Sequence, residues 1–151
     1  MKSLVTGGAG FIGSHLVDAL LTQGDEVTVL DNFSTGRREN SEDFDSLGIE
    51  LIEADISNQE ETRSYFKDVD YVFHQAAVPS VPRSIAEPMV TNNSNVKGTL
   101  CVLENSRLCN VSKVIYAASS SAYGATGVLP NRETINPSPL SPYAAQKLAG
   151  E

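Results

Sequence analysis

Basic residues are scarce in this chain. Eleven lysines and arginines face nineteen aspartates and glutamates, leaving a formal net charge of −8. Such a surface repels a polyanion, and no basic run offers an exception, which argues against general nucleic-acid binding. Cysteine is scarcer still, with Cys101 and Cys109 alone. Two cysteines cannot frame a disulfide scaffold, and their spacing is not that of a metal site. Both fall on an expected helix, where small buried hydrophobes are the ordinary reading. No apolar stretch is long enough to span a membrane, and the first expected strand starts too close to Met1 for a signal peptide. The expectation is a cytoplasmic protein with no metal, no membrane contact and no nucleic-acid partner. Internal repeats and low-complexity segments are also missing.

What is present suits one soluble domain over residues 1–151, with 40% hydrophobic residues to build a single core. Five short runs, rich in β-branched or aromatic residues, read as buried parallel strands: Ser3–Thr6, Glu26–Asp31, Ile49–Asp55, Tyr71–His74 and Lys113–Ser119. Helical patterns fill Phe11–Gln23, Arg37–Leu47, Asn58–Phe66 and Thr91–Cys109. Gly24 and Gly48 punctuate them. This alternation predicts a Rossmann-type α/β fold, a doubly wound parallel sheet of order 3-2-1-4-5. Two long connections, Gln75–Val90 and Ser120–Pro142, follow carboxyl ends of strands, where such sheets bind ligands. A last helix opens at Ser141 and Pro142. The sequence stops two or three turns into it, so the expectation is the front part of something longer.

"VTGGAGFIGSHL" carries Gly7, Gly10 and Gly13 between the first strand and the first helix. Gly7 permits a sharp turn, Gly10 lets backbone approach a pyrophosphate, and Gly13 lets the helix pack closely. The helix N-terminus then faces the phosphates. Asp31 ends the second strand, where a carboxylate can accept both hydroxyls of an adenosine ribose. It repels a 2′-phosphate, so NAD is favoured over NADP. Further on, Tyr143 and Lys147 share one face of the last helix. Tyrosine is a poor base at neutral pH, but a nearby ammonium favours the phenolate. Ser119, Ser120 and Ser121 end the fifth strand, where a hydroxyl can bond a substrate oxygen while a tyrosine takes its proton.

In order, "TGGAGFIGSHL", "DNFSTG", "ADI", "HQAAVPSVPRS", "NVKGT", "YAASSSAYG" and "SPYAAQK" make the chain resemble the extended short-chain dehydrogenase/reductases. Within them it is similar to the NAD-dependent nucleotide-sugar epimerases and dehydratases, over essentially its whole length. The resemblance implies that Phe11 and Ile12 lie along the pyrophosphate. It places Asp31, Asn32, Phe33, Ser34, Thr35 and Gly36 around the adenosine ribose, and Asp55 and Ile56 at the adenine edge. Gln75, Ala76, Ala77 and Val78 run under the cofactor, with Ser94 and Asn95 close by. Tyr143 is then the base, Lys147 holds the nicotinamide ribose, and Ser119 binds the reacting hydroxyl. Pro79, Ser80 and Val81 match the loop that touches the sugar. His74 and His15 are read as structural.

Family dehydratases carry an Asp-Glu pair directly after the catalytic Ser or Thr, as the extra acid and base of elimination. Here those positions are Ser120 and Ser121. A 4-epimerase needs neither group, because the 4-ketose turns over and takes hydride on its other face. The resemblance therefore implies NAD-dependent 4-epimerisation of a UDP-sugar, glucose/galactose or the N-acetyl pair, with dehydratase or decarboxylase as the alternative. It also implies a homodimer, formed through the Tyr143 helix and the Thr91–Cys109 helix. Family members carry a second half with a nucleotide-clamping lobe and its cationic groups, absent from these 151 residues. That leaves three readings: part of an epimerase, an NAD-binding module without turnover, or a sensor of NAD redox state.

Overall fold

In the computed structural model, which describes residues 1–127 and 130–151, the five apolar runs become five parallel strands. These are β1 (Lys2–Thr6), β2 (Glu26–Asp31), β3 (Glu50–Glu53), β4 (Tyr71–His74) and β5 (Lys113–Tyr116). They pair in the order β3-β2-β1-β4-β5, as the strand–helix alternation predicts. β1 is central, with Val5 in register between Val29 of β2 and Phe73 of β4. The winding reverses between β1 and β4, so a crevice opens beyond their carboxyl ends.

Alternation along the strands supplies both faces of the sheet. Leu4, Leu30 and Val72 point to one side, into a cluster with Ile52, Ile56, Phe66 and Val102. Val5 and Val29 point to the other, with Val17, Leu20, Phe44 and Ile49. Helix α1 (Phe11–Thr22) covers the second side. On the first side lie α2 (Gln59–Thr62), which tightens into a 3₁₀ turn at Arg63–Phe66, and α5 (Thr99–Leu108). Each fully buried Val, Leu or Phe contributes about 1.5–3 kcal/mol. Among the described residues no helix is long and apolar enough to cross a membrane.

The structure departs from the sequence pattern in four places. Residues 37–47 do not form a helix beyond a 3₁₀ turn at Arg38–Ser41. Tight turns follow it, such as Phe44 N to Ser41 O and Gly48 N to Asp45 O. Phe44 is the one fully buried apolar anchor there, and a single anchor cannot make the repeating stripe that a helix buries. Secondly, β3 and β5 are shorter than their apolar runs. β4 ends at His74, so β5 has no ladder partner beyond Tyr116; one last bond joins Ala117 N to His74 O. The connection after β4, thirdly, is built from α3 (Val81–Ala86) and α4 (Pro88–Asn92), each opened by a proline in its first turn. Lastly, the expected Thr91–Cys109 helix is interrupted by a π-helical turn at Asn93–Gly98. The Ile56 side chain lies 2.6 Å from where a Cβ of Gly98 would stand.

Candidate functional site

The crevice at the carboxyl ends of β1 and β4 is a cleft of about 330 Å³. Its narrow turn depends on missing side chains. Gly7 has φ +74, and a Cβ there would lie 2.6 Å from the Ala76 nitrogen. A Cβ on Gly13 would run into the Gly7 carbonyl oxygen, so the first turn of α1 sits directly on the loop before it. Gly10 caps α1 without a side-chain bond, and no acidic residue stands in the first turn. The positive end of a twelve-residue helix therefore faces the cleft uncompensated.

Asp31 ends β2 on the opposite wall and is 7% exposed. Its Oδ2 accepts the Ala9 N–H at 3.0 Å and its Oδ1 the Phe33 N–H at 2.8 Å. The carboxylate thus ties the glycine turn to the loop after β2, and each oxygen keeps a lone pair for a further donor. Asp55 lies beside it and accepts from Asn32 Nδ2 at 3.1 Å and from Ser57 N at 2.8 Å. Burial works to raise its pKa, but the bonds from Ser57 and Asn32 and the charge of Lys97 outweigh that and hold it low.

Helix α6 (Pro142–Leu148) supplies the third wall, with the Ser141 hydroxyl accepting the Ala144 N–H as its N-cap. Tyr143 and Lys147 line the cleft one turn apart. The Tyr143 N–H donates to Ser84 Oγ of α3 at 3.0 Å. Lys147 is 5% exposed and donates to Ala117 O at 3.0 Å, with its ammonium 4.9 Å from the Tyr116 ring centre. Burial pushes the Lys147 ammonium below its ordinary pKa. Tyr116 donates its phenol to Lys147 O at 3.2 Å, and burial pushes that phenol up to about 12. Tyr116 is thus a support for the lysine and not itself a base.

Under the cleft runs a buried polar chain whose proton positions follow from its ends. Thr99 Oγ1 donates to Asn95 O at 2.7 Å, so it accepts from His74 Nε2 at 3.0 Å. His74 Nδ1 is then the acceptor for Thr6 Oγ1 at 2.7 Å, and Thr6 Oγ1 accepts the Ala76 N–H at 3.4 Å. His74 must be neutral for this, and burial lowers its pKa to about 3, with the Lys147 charge adding to the effect. Asn95 clasps Val78 through both backbone groups and donates to Gln146 Oε1 at 2.9 Å. Gln146 Nε2 in turn reaches Thr91 Oγ1 at 3.0 Å.

Of the residues expected at the site, the cleft brings together Gly7, Gly10, Phe11, Ile12, Gly13, Asp31, Asn32, Ser34, Thr35, Asp55, Ile56, Gln75, Ala76, Ala77, Pro79, Ser94, Tyr143 and Lys147. Others stand behind it. Gly36 lies against the Asp31 carboxylate, Val78 and Asn95 are buried beneath, and Phe33 packs under Arg38. Ser80 caps α3, where Val81 begins. Ser119 caps a 3₁₀ turn at Ser120–Tyr123, its Oγ accepting the Ser121 N–H, while Ser120 is exposed. Sequence reading missed the lining residues Leu30, Ala54, Ala117 and Ala118, and the supports Ser84, Thr91, Tyr116 and Gln146. Only Gln146 carried a signal, as a polar residue three positions after Tyr143 on a short helix. Among the described residues no group of three His, Cys, Asp or Glu side chains is placed to hold a metal.

The model of the NAD dependent epimerase/dehydratase family matches residues 3–151. A putative UDP-glucose 4-epimerase of Methanocaldococcus jannaschii is 41% identical over 98% of this chain and 48% of its own length. Among solved structures, a UDP-N-acetylglucosamine 4-epimerase from Methanobrevibacter ruminantium, in complex with UDP-N-acetylmuramic acid, superposes with a TM-score of 0.93. It is 42% identical, covering 99% of this chain and 48% of that one. The UDP-glucose 4-epimerase of Thermus thermophilus, in complex with NAD, gives 0.89 at 41% identity over 99% and 48%. The chain spans about half the length of the curated relatives it matches. On the match across nearly all of its residues, the chain belongs to the NAD-dependent epimerase/dehydratase family.

Proposed function

We propose that this chain is the dinucleotide-binding part of an NAD-dependent UDP-sugar 4-epimerase. One observation carries the reading: the Tyr143/Lys147 pair lines the same cleft as the bare glycine turn and the Asp31 carboxylate. The residues fit NAD. A Cβ at Gly7 or Gly13 would fill the turn, the uncapped end of α1 suits a pyrophosphate, and Asp31 keeps acceptor capacity for ribose hydroxyls. Gly10, Phe11 and Ile12 would lie along the phosphates, Asp31 to Gly36 around the ribose, Asp55 and Ile56 at the adenine. Gln75 to Val78, Ser94 and Asn95 would form or brace the floor.

When bound, NAD would supply a hydride acceptor for the sugar C4 and the donor that restores it on the other face. The protein's part is proton handling and positioning. Tyr143, as phenolate, removes the 4-hydroxyl proton and later gives it back. Lys147 spends one of its donors on Ala117 O, which leaves two for the nicotinamide ribose and the phenolate. The Ser119 oxygen accepts from Ser121 N, and its own proton would donate to the reacting oxygen. Pro79 lines the cleft, and Ser80, Val81 and Ser120 would flank the sugar on the side from which it enters. Ser120 and Ser121 offer no carboxylate pair, which favours epimerisation over 4,6-dehydration or decarboxylation.

A second reading, NAD binding without turnover, is favoured by a specific contact. The Arg83 guanidinium, two residues after the loop expected to touch the sugar, is already paired with Glu87 at 2.9 Å, so a UDP diphosphate would have to displace that carboxylate to use it. In the full-length protein we place the homodimer contact on α6 and the α4–α5 face, where Met89, Leu100 and Leu103 are exposed. Two free cysteines suit a reducing cytoplasm.

The deciding experiment incubates the purified chain with UDP-galactose or UDP-N-acetylgalactosamine and no added NAD. Proton NMR follows the anomeric signals, and the denatured protein is then assayed for released cofactor. Appearance of the gluco epimer establishes the 4-epimerase reading and names the substrate. Released NAD without conversion establishes the second reading instead. Absence of both refutes NAD retention by this chain.

A further inference from the structure

Arg38 is a cation held just outside the end of the cleft formed by Asp31, Asn32, Ser34 and Thr35. Its Nη2 donates to Glu53 Oε2 at 2.7 Å, and its guanidinium carbon lies 4.2 Å from the Phe33 ring centre. Both contacts have local causes. Phe33 adopts φ 54, a left-handed conformation uncommon for a bulky residue. The Phe33 N–H bond to Asp31 Oδ1 holds that turn, and Arg38 covers the ring. Glu53 is the register partner of Asp31 across β2 and β3, about 4.8 Å away at the backbone. The guanidinium is therefore pinned one strand from the carboxylate that faces the cleft.

We propose that Glu53 is a specificity-determining residue: by holding Arg38 against Phe33, it withholds the cation that a ribose 2′-phosphate would need. The inference rests on the reading of the cleft as an adenine-dinucleotide site. Two carboxylates then act against the phosphorylated cofactor by different means. Asp31 repels the phosphate directly, whereas Glu53 occupies its natural partner. A guanidinium matches phosphate with a bidentate fork. The side chains of Arg38 and Glu53 are 66% and 57% exposed, and among the described residues the contacts of the head group are this pair and the ring. Arg37 is exposed next to it, but its N–H is bonded to Ala9 O at 3.0 Å, which fixes its backbone and not its charge.

The test is calorimetric titration of NAD and NADP into the chain, freed of retained nucleotide, at low ionic strength. Wild type is compared with Glu53→Thr, too short to reach Arg38, and with Glu53→Thr/Arg38→Gln. Glu53→Thr is expected to tighten NADP about tenfold and leave NAD unchanged, with the gain eroded by salt. The double variant is expected to return to the wild-type value. Three results overturn the proposal alone while wild type binds NAD: no gain for NADP, an equal gain for both nucleotides, or a gain that survives in the double variant. The last would assign the effect to Arg37 or to the loss of the Glu53 carboxylate's own repulsion. Wild type binding neither nucleotide overturns the reading of the cleft, and this proposal with it.

Discussion

Acidification should loosen this protein well before its carboxylates protonate, because of one histidine. His74 is 1% exposed and accepts the Thr6 hydroxyl at Nδ1, so the folded chain holds it neutral down to a pKa of about 3. The unfolded chain binds that proton near the ordinary value of 6.5. Between those limits the unfolded state carries more protons, so stability falls as pH falls. The contribution is fully present above pH 6.5 and is lost at about 1.4 kcal/mol per pH unit below it. Moving from pH 7.5 to pH 5 then costs about 2 kcal/mol, a large part of the stability of an ordinary domain. The window avoids Asp25, whose carboxyl the Ser3 hydroxyl holds below its ordinary value, so its own loss comes at lower pH. Urea denaturation at pH 7.5, 6.5, 5.5 and 5 measures the slope. His74→Gln keeps a donor and an acceptor but cannot titrate, so it should be weaker at pH 7.5 and flatter with pH. Equal slopes in the two proteins, or a flat wild type, would refute the proton assignment of the buried chain.

Gly13→Ala should place its methyl on the Gly7 carbonyl, costing about 1–3 kcal/mol by overpacking and weakening NAD beyond that loss. Thermal denaturation with and without NAD separates the two effects, and an unchanged NAD-induced rise in Tm would contradict it. Tyr143→Phe should leave NAD retention intact and, if the chain turns over UDP-sugars, lower kcat by about 10³. Retained turnover in that variant would remove Tyr143 from the role of base.

How far the sequence could be read depended on how local each determinant was. The turn at Gly7 to Gly13, the strand ending in Asp31 and the one-turn spacing of Tyr143 and Lys147 each depend on a few neighbouring residues, and the structure has all three. The order of the sheet was equally accessible, since strand–helix alternation leaves few windings. Phe33 was not. Its left-handed backbone comes from the Asp31 bond, and its ring meets Arg38 five residues on. The segment 37–47 looked helical by composition, yet it had only Phe44 to bury. The deepest miss was the chain through Thr6, His74, Thr99, Asn95 and Gln146. Apart from Asn95 and Thr99, one turn apart, its members lie on separate segments, and polar residues in a core leave no periodic trace. His74 was readable as structural because it ends a buried strand, but its partners were not.

The strand order also sets a schedule for synthesis. β1 leaves the ribosome before the other strands yet sits in the middle of the sheet, so one of its two edges stays bare until residue 74 has followed. The cleft lies beyond that late seam, and no ligand pocket exists while only the first three strands are made. α6 comes after all five strands, carrying the tyrosine and lysine. The groups that receive it, Ser84, Thr91, Asn95 and Tyr116, all belong to segments already in place. Helix α6 is thus a late insert into a finished socket, and a nascent chain halted before residue 141 would present that socket empty.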